Sequence, residues 1–163
     1  MNILALDLGT KTGWAFIDHG HIESGVQDFS AKRGESAGMR YLHFRRWLFA
    51  IAGVPPAPRV DLIVYEMPHL RGGAAATVLA GLQTRVEEFC AEMDIEHAPV
   101  HSATLKKFTT GSGRGDKLAM QQASIERGWW GFKGNGMVAT DDNEVDAVCL
   151  LHYALAEIVP ATP

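Results

Sequence analysis

The sequence predicts an α/β protein, a mixed β-sheet with helices on both faces. Three observations predict it. Residues 2–8 and 60–65 are apolar runs of the length and character of buried strands. Residues 13–28 read as two strands around a His19-Gly20 pair, as in a hairpin. From residue 60 onward strand-like and helix-like segments alternate, which calls for crossover connections and parallel pairing.

Each element has its own signal. Residues 2–8 make the first strand, and Gly9-Thr10-Lys11 turns it. Residues 13–18 and His21–Asp28 follow as strands. Residues 36–51 carry Met39, Leu42, Phe44, Leu48 and Ile51 at helical spacing. Pro55-Pro56-Ala57-Pro58 breaks the chain, and residues 60–65 form the fourth strand. Residues 74–93 form a long helix with Leu79, Leu82, Val86, Phe89 and Cys90 on one face. Residues 95–100 form a short strand. Ser102 is placed to cap a short helix leading to Gly111-Ser112-Gly113, and Asp116 to cap a second running to Gly128. Thr140 or Asp141 caps the last helix, which continues to about Val159. The chain of 163 residues has no internal repeat and fits one domain, residues 1–163. At this size roughly 70% of the unfolded surface can be buried, so the core needs no staples.

Composition narrows the function classes. The apolar and charged fractions are those of a soluble globular protein, and no run approaches the length of a membrane span. The Met-Asn-Ile-Leu-Ala start does not read as a signal peptide. Cys90 and Cys149 read as reduced core thiols of a cytoplasmic protein. The net charge is −4, but the charges are segregated. Lys32, Arg33, Arg40, Arg45, Arg46 and Arg59 face only Glu35 in their segment. Lys106, Lys107, Arg114, Lys117, Arg127 and Lys133 face only Asp116 and Glu126. From residue 141 onward the chain holds Asp141, Asp142, Glu144, Asp146 and Glu157 and no Lys or Arg. Basic segments around concentrated acid suit a metal-dependent enzyme acting on a polyanion; ordinary solvated charge is the alternative.

Three acids stand in unusual settings. Asp7 closes the first strand, and Glu66 follows Leu62-Ile63-Val64-Tyr65. Asp146 precedes Ala147-Val148-Cys149-Leu150-Leu151, a stretch apolar nearly all round. Burying a carboxylate there is costly unless it is paired or binds a metal. Alone, each has an ordinary explanation: Asp7 as a turn cap, Glu66 as a partner of Arg71, Asp146 bonded to backbone. Together, at adjacent strand ends and on a helix able to pack over them, they would repel one another without a cation. Oxygen-only donors point to Mg²⁺ or Mn²⁺ rather than Zn²⁺. Asp142 and Asn143 lie one turn before Asp146, and either can supply a further oxygen.

These residues carry a resemblance. Leu6-Asp7-Leu8-Gly9-Thr10-Lys11-Thr12-Gly13-Trp14-Ala15 resembles the opening strand and turn of the RuvC-like nucleases. Ile63-Val64-Tyr65-Glu66 resembles their second acidic strand, and Asn143-Glu144-Val145-Asp146-Ala147 their acidic final helix. Residues 105–117 resemble their lysine–glycine–lysine segment. The motifs come in the family's order and span nearly the whole chain. The resemblance implies a five-stranded RNase H-like sheet, a homodimer and two-metal hydrolysis of phosphodiesters in four-way (Holliday) junctions, with branched DNA as the partner. It makes Asp7, Glu66 and Asp146 metal ligands; Asn143, three residues before Asp146 on the same helix, is the expected oxygen donor to the second ion, with Asp142 its competitor. Lys106 and Lys117 would contact phosphate, with Lys117 also stabilising charge in the reaction; Lys107, Arg114 and Arg71 complete the expected DNA contacts. The helix at 74–93 would lie near the dimer interface. Asn143 stands where the family has an acid or a His. The loop Met67-Pro68-His69-Leu70-Arg71-Gly72-Gly73 lacks the family's aromatic wedge, for which His69 or Leu70 is the substitute.

Other readings compete. Gly111-Ser112-Gly113-Arg114-Gly115 lacks the Gly-Lys-Ser/Thr ending of a nucleotide phosphate loop. Trp129-Trp130-Gly131-Phe132 can stack on bases or pack at a helix end. Asp-Leu-Gly-Thr also resembles the phosphate hairpin of actin-like ATPases, but those need two lobes. A YqgF-like nuclease acting on RNA and a non-catalytic nucleic-acid-binding module of the same fold are the remaining rivals.

Overall fold

The computed structural model describes residues 1–53, 60–68, 72–129 and 141–159. Strands β1 (Ile3–Asp7), β2 (Lys11–Asp18) and β3 (His21–Asp28) form an antiparallel meander. Helix α1 (Met39–Ala52) leads to β4 (Leu62–Glu66), helix α2 (Gly73–Met93) to β5 (Glu96–Val100). Helices α3 (Ser102–Thr110), α4 (Lys117–Glu126) and α5 (Asp142–Tyr153) follow, and α5 runs into a π-helical turn, Ala154–Ile158. The sheet order is β3-β2-β1-β4-β5, with β4 parallel to both β1 and β5. The expected mixed sheet of five strands, with helices on both faces, is present.

Strand alternation divides the core. Leu4 and Leu6 of β1 and Leu8 just after it, with Ile63 and Tyr65 of β4, pack with Phe44 and Leu48 of α1 and Leu82, Val86 and Phe89 of α2. Ile3 and Ala5, with Leu62 and Val64, pack against α5, whose Val145 and Val148 are buried with them. Because side chains alternate with period two, Asp7 and Glu66 fall on the α5 face. Cys90 and Cys149 are free and buried, in different clusters.

Local differences have local causes. Strand β2 starts at Lys11 because Lys11 and Thr12 pair with Asp28 and Gln27. The Thr12 hydroxyl then donates to the Gly9 carbonyl at 2.7 Å and closes the turn. Ser102 is not the cap of α3: His101 holds the extended cap position, and no side chain bonds the first turn. Asp116 does cap α4, accepting from the Ala119 amide at 2.8 Å. Asp141, rather than Thr140, caps α5; one carboxylate oxygen accepts from the amide of Asn143 and from its side-chain nitrogen. Leu42 faces solvent, and α1 buries Phe44 and Leu48 instead. Among the described residues no helix is long and apolar enough to cross a membrane.

Candidate functional site

Parallel pairing sets Leu6 beside Tyr65, so Asp7 and Glu66 leave the sheet side by side at the C-terminal ends of β1 and β4. Helix α5 lies across this edge and brings Asp146 to it. Its close seating depends on Gly13: a Cβ there would stand 1.8 Å from the Asn143 carbonyl oxygen. Beside it, the Ser24 hydroxyl donates to the buried Glu144 carboxylate at 2.7 Å, fastening the first turn of α5 to β3.

The electrostatics show that the acids share one field. Burial pushes Asp7 well above the usual carboxylate range, and the charges of Asp146 and Glu66 push it further; Lys117 partly offsets them. Burial, then Glu66, pushes Asp146 up to about 6, with Lys117 and Lys106 pulling the other way. The Lys117 ammonium donates to the Asp142 carboxylate at 2.9 Å. That bond, with the charges of Asp142, Asp146 and Asp7, raises its own proton affinity. The site is thus an acidic centre with a lysine at its rim.

Asp7 and Glu66 line a cleft of about 240 Å³ together with Leu8, Met67, Pro68 and Leu79. The donor chemistry fits a hard divalent cation: partly buried carboxylates gathered at one sheet edge, with no His or Cys among them. Among the described residues no three His, Cys, Asp or Glu side chains are already assembled as a metal cluster.

The remaining predicted residues fall in three groups. Lys106 lies on α3 within the field of Asp146. Lys107 and Arg114 are exposed at the end of α3 and in the loop before α4, on the same arm as Lys117. Asp142 is engaged at both oxygens, by Lys117 and by the Gln121 amide at 2.7 Å. Asn143 uses its side-chain nitrogen on Asp141. Arg71, with the wedge candidates His69 and Leu70, lies outside the described residues, as do Arg59, Trp130, Phe132 and Lys133.

Other expectations are resolved. Gly111–Gly115 joins two helices rather than following a strand, unlike a nucleotide phosphate loop. Trp129 is stacked against both Phe108 and His152 and holds Arg127 against its ring, so it packs the ends of α3, α4 and α5 together. Arg45 is paired with Glu88 and Glu92 of α2, which spends part of the first basic segment within the fold. Sequence reasoning missed the Ser24–Glu144 bond and the close approach at Gly13. It also placed Leu79 on the core face of α2, whereas Leu79 lines the cleft.

No protein-family model and no curated protein sequence matches the chain. Solved structures do. Thermus thermophilus RuvC superposes with a TM-score of 0.70 at 15% identity, covering 95% of this chain and 96% of that one. T. thermophilus RuvC in complex with Holliday junction substrate superposes with a TM-score of 0.71, also at 15% identity, covering 92% and 90%. The chain has the RuvC fold, an RNase H-like arrangement.

Proposed function

We propose, from the RuvC fold, that this protein is a divalent-metal-dependent endonuclease that cuts branched DNA, four-way junctions above all. The observation that carries this reading is geometric: Asp7 and Glu66 end adjacent parallel strands and line one cleft, and α5, which carries Asp146, packs on both strands. The T. thermophilus RuvC complex with a Holliday junction supports the choice of substrate.

Asp7, Glu66 and Asp146 would hold Mg²⁺ or Mn²⁺, with the Asn143 amide oxygen completing a second ion's donors. Such ions would supply the chemistry of water activation and charge neutralisation at the leaving 3′ oxygen, giving 5′-phosphate and 3′-hydroxyl ends. The chain's own groups do the rest. Lys117, exposed enough to leave Asp142, meets the substrate phosphate and offsets its growing charge. Lys106, Lys107, Arg114 and Arg71 hold backbone phosphates, which position the strand without reading its bases.

A homodimer with α2 near its contact would place two such sites symmetrically on a four-way junction. The apolar face of α2 is spent on the core through Leu82, Val86 and Phe89, so a contact there would use its outer residues and its exposed start, Ala74 and Ala75. The test is incubation with labelled four-way junctions and matched duplexes, with and without Mg²⁺. Mg²⁺-dependent cutting of junctions supports the reading. Cutting of RNA instead favours the YqgF-like alternative, and binding without cutting in any metal favours the non-catalytic module.

A further inference from the structure

The cleft beside the acids has a second wall that hydrolysis does not use. Asp7 and Glu66 line it together with the apolar side chains of Leu8, Met67, Pro68 and Leu79. Leu8 follows Asp7 and turns to the opposite face of the sheet, where it joins the core beside α1 and α2. The Met67 amide donates to the Val100 carbonyl at 2.8 Å, which holds the exit of β4 against β5. Leu79 is partly buried, on the first half of α2, and packs against neither core cluster. An apolar wall abutting a carboxylate edge suits a ligand that is anionic at one end and flat and weakly polar at the other.

We propose that this wall receives one unstacked nucleobase, that of the nucleotide whose phosphate meets the acids. The inference rests on the nuclease reading and names what the site selects. The volume of about 240 Å³ lies below the roughly 300–1,000 Å³ of pockets for drug-sized ligands, so it takes a single base and not a base pair. Charge complementarity favours a nucleic-acid occupant: Lys106 and Lys117 lie within reach of the charge of Asp146, and Lys107 and Arg114 stand between them along the chain, with Asp116 the one acid in that stretch. A base inside a duplex must be unstacked to enter, at a cost of a few kcal/mol, and that cost is least where pairing is already broken. The wall therefore selects branch points by their unpaired bases, without reading which base is present.

The test is a double-mutant cycle on binding, in EDTA, with a synthetic four-way DNA junction followed by fluorescence anisotropy. Wild type and Leu79→Ala are each titrated with the intact junction and with junctions abasic at each nucleotide around the branch in turn. Leu79→Ala should weaken binding to the intact junction about tenfold. At one abasic position the same substitution should cost nothing, because both changes remove one contact. Leu79→Trp, which fills the cleft, should reproduce the loss, and an unchanged melting temperature in both variants shows that the fold is intact. Equal losses on intact and all abasic junctions overturn the inference, even if wild type binds and cuts junctions normally. Wild type that binds junctions no more tightly than duplex overturns the nuclease reading and this inference with it.

Discussion

Lys117, the first residue of α4, donates to Asp142, the first residue of α5, at 2.9 Å, while Gln121 holds the other oxygen of the same carboxylate. Asp142 therefore fastens α4 to α5 and keeps the lysine at the rim of the acidic centre. This bears on which residue completes the second metal site. With both oxygens engaged by α4, Asp142 is the poorer donor, and Asn143 is the better one. Asn143→Ala should raise the Mg²⁺ concentration for half-maximal cleavage, and Asn143→Asp should lower it. Asp142→Ala should change it less and instead alter the salt dependence through Lys117. A Mg²⁺ titration in which only Asp142→Ala moves the requirement assigns the ligand to Asp142.

Lys117→Ala should weaken binding to every DNA sequence alike. The plot of log affinity against log salt should become shallower by roughly one unit of slope. An unchanged slope with altered sequence preference contradicts a phosphate contact.

The carboxylates impose a pH signature on the metal-free fold. A carboxyl raised in the folded state stabilises the fold below its unfolded value, and that contribution is lost as pH rises through the folded value. For Asp146 the window runs from the ordinary carboxylate range, 3.8, up to about 6. In EDTA, Asp146→Asn should melt higher than wild type at pH 7 by roughly 3–8 °C, on the scale of about 1–3 kcal/mol. The gain should shrink toward zero near pH 4. Scanning calorimetry across that range checks the trend, and Mg²⁺ should close the gap at pH 7 by stabilising wild type alone.

Gly13→Ala should lower stability by about 1–3 kcal/mol, because a Cβ there meets the Asn143 carbonyl at 1.8 Å and α5 must lift off β2. Since α5 carries Asp146, the Mg²⁺ requirement should rise in parallel. Denaturant unfolding with an unchanged midpoint argues against the close approach.

The proposed homodimer should show twice the monomer mass by light scattering, free or on junction DNA. A monomer under both conditions removes the symmetric placement of two sites.

Much of this was legible in the sequence because strand and helix periods are local. Asp7 and Glu66 stood out as acids ending apolar runs, and Asp146 as an acid opening one. What stayed hidden depends on partners far along the chain. Ser24 and Glu144 meet across 120 positions, and no spacing rule links them. Gly13 reads as a strand residue until α5 is laid on it. Leu79 has the helical phase of a core residue, yet lies where α2 passes the sheet edge, so it meets the cleft rather than the core. Ser102 has the chemistry of a cap, but the extended backbone falls one residue earlier, at His101.

The central claim is that Asp7, Glu66 and Asp146 act together on a phosphodiester of branched DNA. Its most direct test compares wild type with Asp7→Asn on a labelled four-way junction, scoring binding and cleavage separately with Mg²⁺ and with EDTA. Both proteins should bind, and only wild type in Mg²⁺ should cleave, with Asp7→Asn reduced by about 10³-fold or more. Full cleavage by Asp7→Asn, or by wild type in EDTA, contradicts it.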